Sequence, residues 1–345
     1  MKYKIQHNKP TLGREEEEAA LRVLRSDWLS QGPEVEAFEN DFCRFMGLPK
    51  GHSIAVSNGT SALFLSLWAL KTTGKRVSFP AYACSAIRHS IAMIKGYENP
   101  TDITKNSPNI DLTRMDQNTD ISIIPHMYGI PVDLTDYDTT NVIEDCAQAL
   151  GAKINGKLVG LQGVFGVFSF YASKLMTSGG QGGMVISENY DLINSIRDYR
   201  EFDYRRDDKK RFNFQMTDLQ AAIGREQLKK IPRFLNDRER IFNLYKEAGF
   251  ELLDIDKNDK RKISPVRYRA IVKTENSMKM ISSLASSGIE AKIPTEDWEL
   301  LGDPQLLPNA LELTKNTVSL PIYPSLSNDE VSKIIQSTKS FFENE

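Results

Sequence analysis

The chain has 345 residues, 40% hydrophobic and 26% charged, the balance of an ordinary globular protein rather than a disordered, collagen-like or coiled-coil one. Lys and Arg number 44 against 46 Asp and Glu, a formal charge of −2, so no global basic excess recruits nucleic acid or an anionic membrane, and any anionic ligand must be held locally. Cys43, Cys84 and Cys146 are odd in number without CxxC spacing, and His7, His52, His89 and His126 are not paired at ligand spacing, which argues against a disulfide framework, a structural zinc site or a catalytic metal.

The amino terminus, MKYKIQHNKPTLGREEEE, carries no apolar signal region, and no stretch approaches the 18 apolar residues of a membrane span, so the chain reads as cytoplasmic. The length predicts roughly two domains. A first helix is predicted from Glu15–Glu18 into Ala19, Leu21, Val23 and Leu24, with its acids in the turn the helix dipole favours. Trp28 and Ser30 follow in a loop. Beyond them, short β-branched runs (53–56, 77–79, 121–125, 142–143 and 165–170) alternate with helical patterns, which reads as βα units around a mostly parallel sheet.

Candidate chemistry falls at the ends of these runs. Ser57-Asn58-Gly59-Thr60-Ser61 sits at a strand-to-helix turn, where small and hydroxylated residues expose N–H groups to an anion, or simply form a capped turn. Asn141-Val142-Ile143-Glu144-Asp145 runs from apolar strand into two acids at the sheet edge where α/β ligands bind. Asp145 could there be a helix cap, a metal ligand or a carboxylate held against a cationic ring nitrogen. His126 at the end of another strand reads as a hydrogen-bonded structural residue, and Cys146 as small apolar packing. Lys174 follows the apolar run ending FSFYAS and precedes the glycine-rich 179–183, a placement suited to Schiff-base chemistry.

The basic stretch from Tyr204 to Arg211, with Asp203, Asp207 and Asp208, is a solvated loop or a clamp for a phosphorylated ligand. Thr217-Asp218-Leu219-Gln220 has capping-box spacing and opens a long helix predicted to be interrupted near Pro232, where the domain boundary is placed: 1–232 large, 233–345 small. The remainder mixes strand-like 267–272 and 317–320 with helices, the last opened by a second capping box at Ser327, and reads as a small α+β domain.

The order and spacing of WLSQGPEVEAFE (28–39), SNGTSAL (57–63), FPAYACSAI (79–87), PHMYGIPVD (125–133), IEDCAQALGA (143–152), FSFYASK (168–174), GGM (182–184), NFQMTDLQAAIGREQL (213–228) and LPIYPSLS (320–327) resemble one family, the DegT- and StrS-type sugar aminotransferases among the fold-type I pyridoxal phosphate enzymes. The resemblance covers about 12–327. It implies an α/β large domain with a mostly parallel central sheet and a smaller C-terminal domain. By its implication Lys174 holds pyridoxal phosphate and, once released, moves the proton, while Asp145 pairs with the pyridine nitrogen and Gln148 bonds the 3-oxygen. Gly59, Thr60 and Ser169 would hold the phosphate, with Ser61 helping through its backbone and Asn213 reaching in from the partner subunit of a homodimer. Tyr82 or Cys84 would face the ring, and Trp28 and Ser30 match a segment lining the sugar pocket.

The implied activity moves an amino group, from L-glutamate, to a keto group of a nucleotide-linked deoxysugar, feeding surface polysaccharides or glycosylated metabolites. Departures bear on the substrate. Gln215 replaces a frequent arginine, Gln181 a common glutamate, the glycine segment after Lys174 is one residue longer, and Ala291–Leu300 (AKIPTEDWEL) lacks the family's His-Tyr segment. A keto-cyclitol or other carbonyl substrate, or a non-catalytic binding protein of the same fold, are the alternative readings. Lysine at 174, where dehydratase relatives carry histidine, favours transamination.

Overall fold

A computed structural model describes residues 3–116, 118–255 and 262–344. Two helices, α1 (Arg14–Leu24) and α2 (Pro33–Met46), precede the first strand. Then come β1 (Ser53–Val56), α3 (Gly59–Ala69), β2 (Arg76–Pro80), α4 (Ala86–Met93), β3 (Tyr97–Thr101), β4 (Ile121–Pro125) and β5 (Val142–Asp145). A short hairpin follows, β6 (Lys153–Ile154) and β7 (Lys157–Leu158), and then β8 (Phe165–Ser169) and β9 (Gly183–Ile186). Seven of these strands form one sheet in the order β1-β9-β8-β5-β4-β2-β3. Every pairing is parallel except those of β9, which is antiparallel to both neighbours. β1, β4, β5 and β9 are buried throughout, so they appear in the sequence as short, mostly apolar runs rather than alternating ones, β5 ending in two acids.

Helix packing explains how the sheet edge is held. On β8, Phe168 points to the face opposite Ser169, and Phe170 just past the strand continues the same alternation. Phe42 of α2 lies 5.0 Å from the Phe168 ring and 5.8 Å from Phe170, and Phe38 lies 5.3 Å from Phe170. The aromatic cluster presses β8 from behind and leaves Ser169 facing the other way.

After α5 (Tyr190–Arg200), α6 (Asp218–Glu247) begins at the capping box expected at Thr217. It does not break at Pro232, contrary to the sequence reading. Proline costs the helix one hydrogen bond, but Ile231 and Phe234 on either side are buried, and this packing outweighs the local penalty. Leu228 and Ile231 join the core under the large sheet, whereas Ile241, Phe242 and Tyr245 join a second apolar cluster.

The chain that follows forms β10 (Ile263–Ser264), β11 (Ala270–Lys273), α7 (Ser277–Ser286), α8 (Pro308–Lys315), β12 (Thr317–Leu320) and α9 (Asn328–Glu343). The second cluster packs α6 against β11, α7, β12 and α9, whereas β10 pairs with β6, and Ala310 and Leu313 of α8 join the first core. β11 and β12 pair antiparallel, and α9 starts at the expected capping box of Ser327 and Glu330. The strand expected at 267–272 begins only at Ala270, because Tyr268 N–H turns back to the Val266 carbonyl. Ile5 from the amino terminus packs into the same cluster.

Phe42→Ala empties the aromatic wedge behind β8 and is expected to lower unfolding stability by about 3–5 kcal/mol, read as a shift of the urea midpoint at unchanged slope.

Candidate active site

The carboxyl ends of the parallel strands and the amino end of α3 meet at a cavity of about 550 Å³, within the range of cofactor and substrate pockets. Gly59, Thr60, Ser61, Cys84, Asp145, Gln148, Ser169 and Lys174 line it. Sequence positions more than 100 apart are brought together because each lies at a strand end or just beyond one.

At the α3 terminus, the Asn58 side chain accepts the Ser61 N–H at 2.8 Å and the Asn58 carbonyl accepts that of Ala62. The Ser61 hydroxyl bonds Ser57 and Asn58 at 3.0 Å each. Ser61's backbone, expected to help hold phosphate, is therefore committed to the cap. Among the described residues, the first-turn N–H groups left for an anion are those of Gly59 and Thr60. A Cβ at Gly59 would stand 2.9 Å from Ser169 Cβ, so only glycine lets the helix start approach Ser169. At Gly183 a Cβ would stand 2.4 Å from the Asn58 carbonyl oxygen, which keeps β9 close beneath the same turn.

The two acids ending β5 point to opposite sides of the strand. Glu144 is fully buried and accepts five hydrogen bonds: from His126 Nε2 (3.0 Å), Gly160 N (3.0 Å), Gln162 N (2.6 Å), Gln162 Nε2 (3.0 Å) and Gly163 N (2.9 Å). Val132 N–H donates to His126 Nδ1 at 3.0 Å, so Nε2 carries the hydrogen that goes to Glu144. Burial alone would raise the Glu144 carboxyl, but the His126 hydrogen bond, with the N–H groups of Gly163 and Gly160, holds it below its ordinary value. His126, Glu144 and Cys146 cluster closely enough to suggest a metal site. Glu144's oxygens are already filled by protein donors, so the cluster is structural.

Asp145 differs. It is buried, and among the described residues it accepts one hydrogen bond, from Ala147 N–H to Oδ1 at 2.9 Å. Burial pushes its carboxyl above the ordinary value, against the pull of that N–H and of the Lys174 charge. An under-satisfied buried carboxylate lining a cavity is a seat for a cation. Gln148 Oε1 accepts the Tyr128 N–H at 2.9 Å, which turns the amide's NH₂ to the other side as a donor. Tyr128 aims this N–H from a left-handed backbone, φ 57°, strained for a tyrosine.

The donor set fits pyridoxal phosphate: free helix-start N–H groups for the phosphate, a buried carboxylate for a protonated ring nitrogen, an amide donor for the 3-oxygen, and a primary amine for the aldehyde.

Other expected residues lie elsewhere in this chain. Tyr82 is fully buried, accepts a 2.7 Å bond from the Tyr128 hydroxyl and does not line the cavity, whereas Cys84 does. Asn213, Trp28 and Ser30 are exposed and do not line the cavity, although Phe214, next to Asn213, does. Asn213 Oδ1 accepts Gln215 N–H, and Trp28 donates to the Gln31 carbonyl. In the basic stretch Arg205, Lys209 and Arg211 all pair with Asp198, the pattern of a tied, solvated loop. Residues the sequence reading left without a role include Tyr128, whose one signal was its place before Gly129, and Tyr268, which gave none.

Residues 10–339 match the DegT/DnrJ/EryC1/StrS aminotransferase family. The chain is 30% identical to the GDP-perosamine synthase of Escherichia coli O157:H7, with 99% of both chains covered. It superposes on the aminotransferase TlmJ from Streptoalloteichus hindustanus with a TM-score of 0.91 at 24% identity, covering 99% of both chains. On S. venezuelae DesV, solved in complex with a ketimine intermediate, the TM-score is 0.86 at 25% identity, covering 95% of this chain and 94% of that one.

The two acids predict opposite responses in the cofactor-free protein. Glu144→Gln sets an NH₂ against backbone donors and is expected to cost about 3 kcal/mol at neutral pH. That difference is present above the ordinary carboxyl pKa and lost as pH falls through Glu144's lowered value. Asp145→Asn is expected to raise the melting temperature at neutral pH, a gain that fades as pH falls below Asp145's raised value, where the native carboxyl is already neutral. Thermal melts across pH 3–8 test both.

Proposed function

Because the chain belongs to the DegT/DnrJ/EryC1/StrS aminotransferase family, we propose that it transfers an amino group from L-glutamate to a keto group of a nucleotide-linked deoxysugar, with pyridoxal phosphate as cofactor. The observation that carries the reading is the convergence of Lys174, the under-satisfied Asp145 and the free start of α3 on one cavity. The sugar class rests on the family and on the relative that is a GDP-perosamine synthase.

Bound pyridoxal phosphate supplies an electron sink for the carbanion formed at the amino-bearing carbon. Asp145 keeps the ring nitrogen protonated, and its own raised pKa falls once that cation arrives. Gln148 donates to the 3-oxygen, and Gly59, Thr60 and Ser169 hold the phosphate, with the Ser61 N–H held by the Asn58 cap of the helix that presents them. Cys84 contributes a wall at the ring. Lys174 Nζ takes the proton from the donor's amino-bearing carbon and, in the second half-reaction, delivers one to the sugar carbon that receives nitrogen.

We further propose a cytoplasmic homodimer in which residues 1–232 form the cofactor-binding domain and 233–345 the smaller one. Asn213 of each subunit completes the phosphate site of the other, and Trp28 and Ser30 approach the sugar. The exposure of Phe212, Trp28 and Leu29 on one chain supports burial against a second copy. No described helix is long and apolar enough to cross a membrane. The 296–299 stretch, a short acidic turn bearing exposed Trp298 where the family carries His and Tyr, is the feature that favours testing keto-cyclitols beside nucleotide sugars.

With pyridoxal phosphate, the purified protein is expected to show a visible absorption band that collapses on adding L-glutamate, with the response lost in Lys174→Ala. A protein with no band refutes the site. Mixing Lys174→Ala with Asn213→Ala tests the shared site: if Asn213 acts across the interface, mixed dimers regain one intact site and activity returns. If it acts within its own subunit, both sites stay defective.

A further inference from the structure

Lys174 is bordered on two sides. Forward lies the large cavity; behind it lies a small one of about 10 Å³ shared with Thr11, Phe234 and Arg238, room for at most one water. The lysine Nζ stands 5.5 Å from the centroid of the Tyr268 ring, which lines neither cavity. An ammonium within about 6 Å of an aromatic face is attracted by the ring's quadrupole, and more strongly where both are withdrawn from water.

Tyr268 is buried and faces cations from several elements. Arg269 lies over the same ring at 5.2 Å, and Arg238 of α6 donates to the Tyr268 carbonyl at 3.3 Å. Ser173, next to Lys174, hydrogen-bonds the phenol. Arg269 is itself anchored, with Nη1 2.8 Å from Nε2 of buried His7. No carboxylate is among these neighbours; the acid that acts on Lys174 is Asp145, on the cofactor side. Burial would raise the phenol, but the charges of Lys174, Arg269 and Arg238 together with the Ser173 hydroxyl hold it below its ordinary value.

We propose that Tyr268 is a positioning residue for Lys174, its ring seating the lysine as ammonium whenever the amine is released. The inference rests on Lys174 being the proton carrier. It gives that carrier two stations: Asp145 and the substrate in front, and a neutral aromatic face behind. A carboxylate at the rear would bind the ammonium too tightly to return it. A ring holds it weakly enough to leave.

The test uses the holoenzyme, with the glutamate half-reaction followed by the visible band in stopped flow over pH 6–10. Tyr268→Phe keeps the ring and is expected to stay within about twofold of wild type. Tyr268→Met keeps volume without a π face and is expected to slow the proton transfer by about three- to tenfold. Its kinetic isotope effect with α-deuterated glutamate should rise. Tyr268→Trp, a second ring variant, should keep the wild-type isotope effect if Met destabilises the fold.

An unchanged isotope effect in Tyr268→Met, with only a lower melting temperature, would make Tyr268 merely structural. A Phe variant as slow as Met would assign the effect to the hydroxyl and overturn the ring seat. A wild-type protein that forms no band overturns the site reading itself, an outcome distinct from both.

Discussion

Two adjacent carboxylates at the end of β5 set the terms for the rest of the site. A strand turns consecutive side chains to opposite faces, so Glu144 and Asp145 cannot share an environment. Glu144 turns inward and the protein surrounds it with His126, the 160–163 loop and the Gln162 amide. Asp145 turns to the cavity and receives one N–H. A buried charge costs free energy until it is paired. The first acid is paired on folding, and in the proposed reading the second is paired on binding. That division ties together the loop after β7, the segment after β4 and the cofactor seat, because the Glu144 network holds all three at one strand end.

The network also controls hydrogen-bond polarity, which position alone would not determine. An imidazole or an amide can present either end to a ligand. Val132 N–H fixes the His126 tautomer and Tyr128 N–H fixes the Gln148 amide. The strained backbone at Tyr128 is the local cost of the second. Its hydroxyl, donated to Tyr82, helps hold that conformation, and this accounts for Tyr82's burial away from the cavity where Cys84 stands. A short path of backbone donors thus converts a loop after β4 into a precise orientation at Gln148.

Much of this is legible in the amino-acid sequence. Parallel strands buried on both faces betray themselves as apolar runs, and residues just beyond them fall at the ligand edge by topology, which is why Gly59, Asp145, Ser169 and Lys174 can be named from order and spacing. What escapes depends on tertiary contact. Pro232 has a strong local meaning as a breaker, yet burial of Ile231 and Phe234 on either side overrides it. Ser61 and Thr60 look alike in sequence, and only the Asn58 cap separates the N–H that is spent from those that are free. Tyr268 lies far along the chain from Lys174, in a segment whose strand-like pattern starts ahead of the strand itself at Ala270, and no local rule links the two.

The same division bears on where substrate choice would reside in the proposed reading. The seat beneath the ring is built from strand ends and capped helices, whose geometry is overdetermined by the sheet, so it tolerates little variation. The 291–300 segment is different: after Lys292 pairs with Ser319 on β12, the chain leaves the small sheet and makes one 3-10 turn, with Glu296 and Glu299 bonding each other's backbone and Trp298 outward. Its fold is local, and Leu301 N–H anchors it to the Ala81 carbonyl beside Tyr82. Side chains there can change without disturbing β5 or α3. Discrimination between similar sugars needs only about 1–3 kcal/mol, an amount a few such side chains supply. In the proposed reading, a cofactor seat fixed by the sheet leaves substrate choice to segments outside it, and since no residue of 291–300 lines the cavity of about 550 Å³ in this chain, the acidic turn would act on the substrate from beyond that seat.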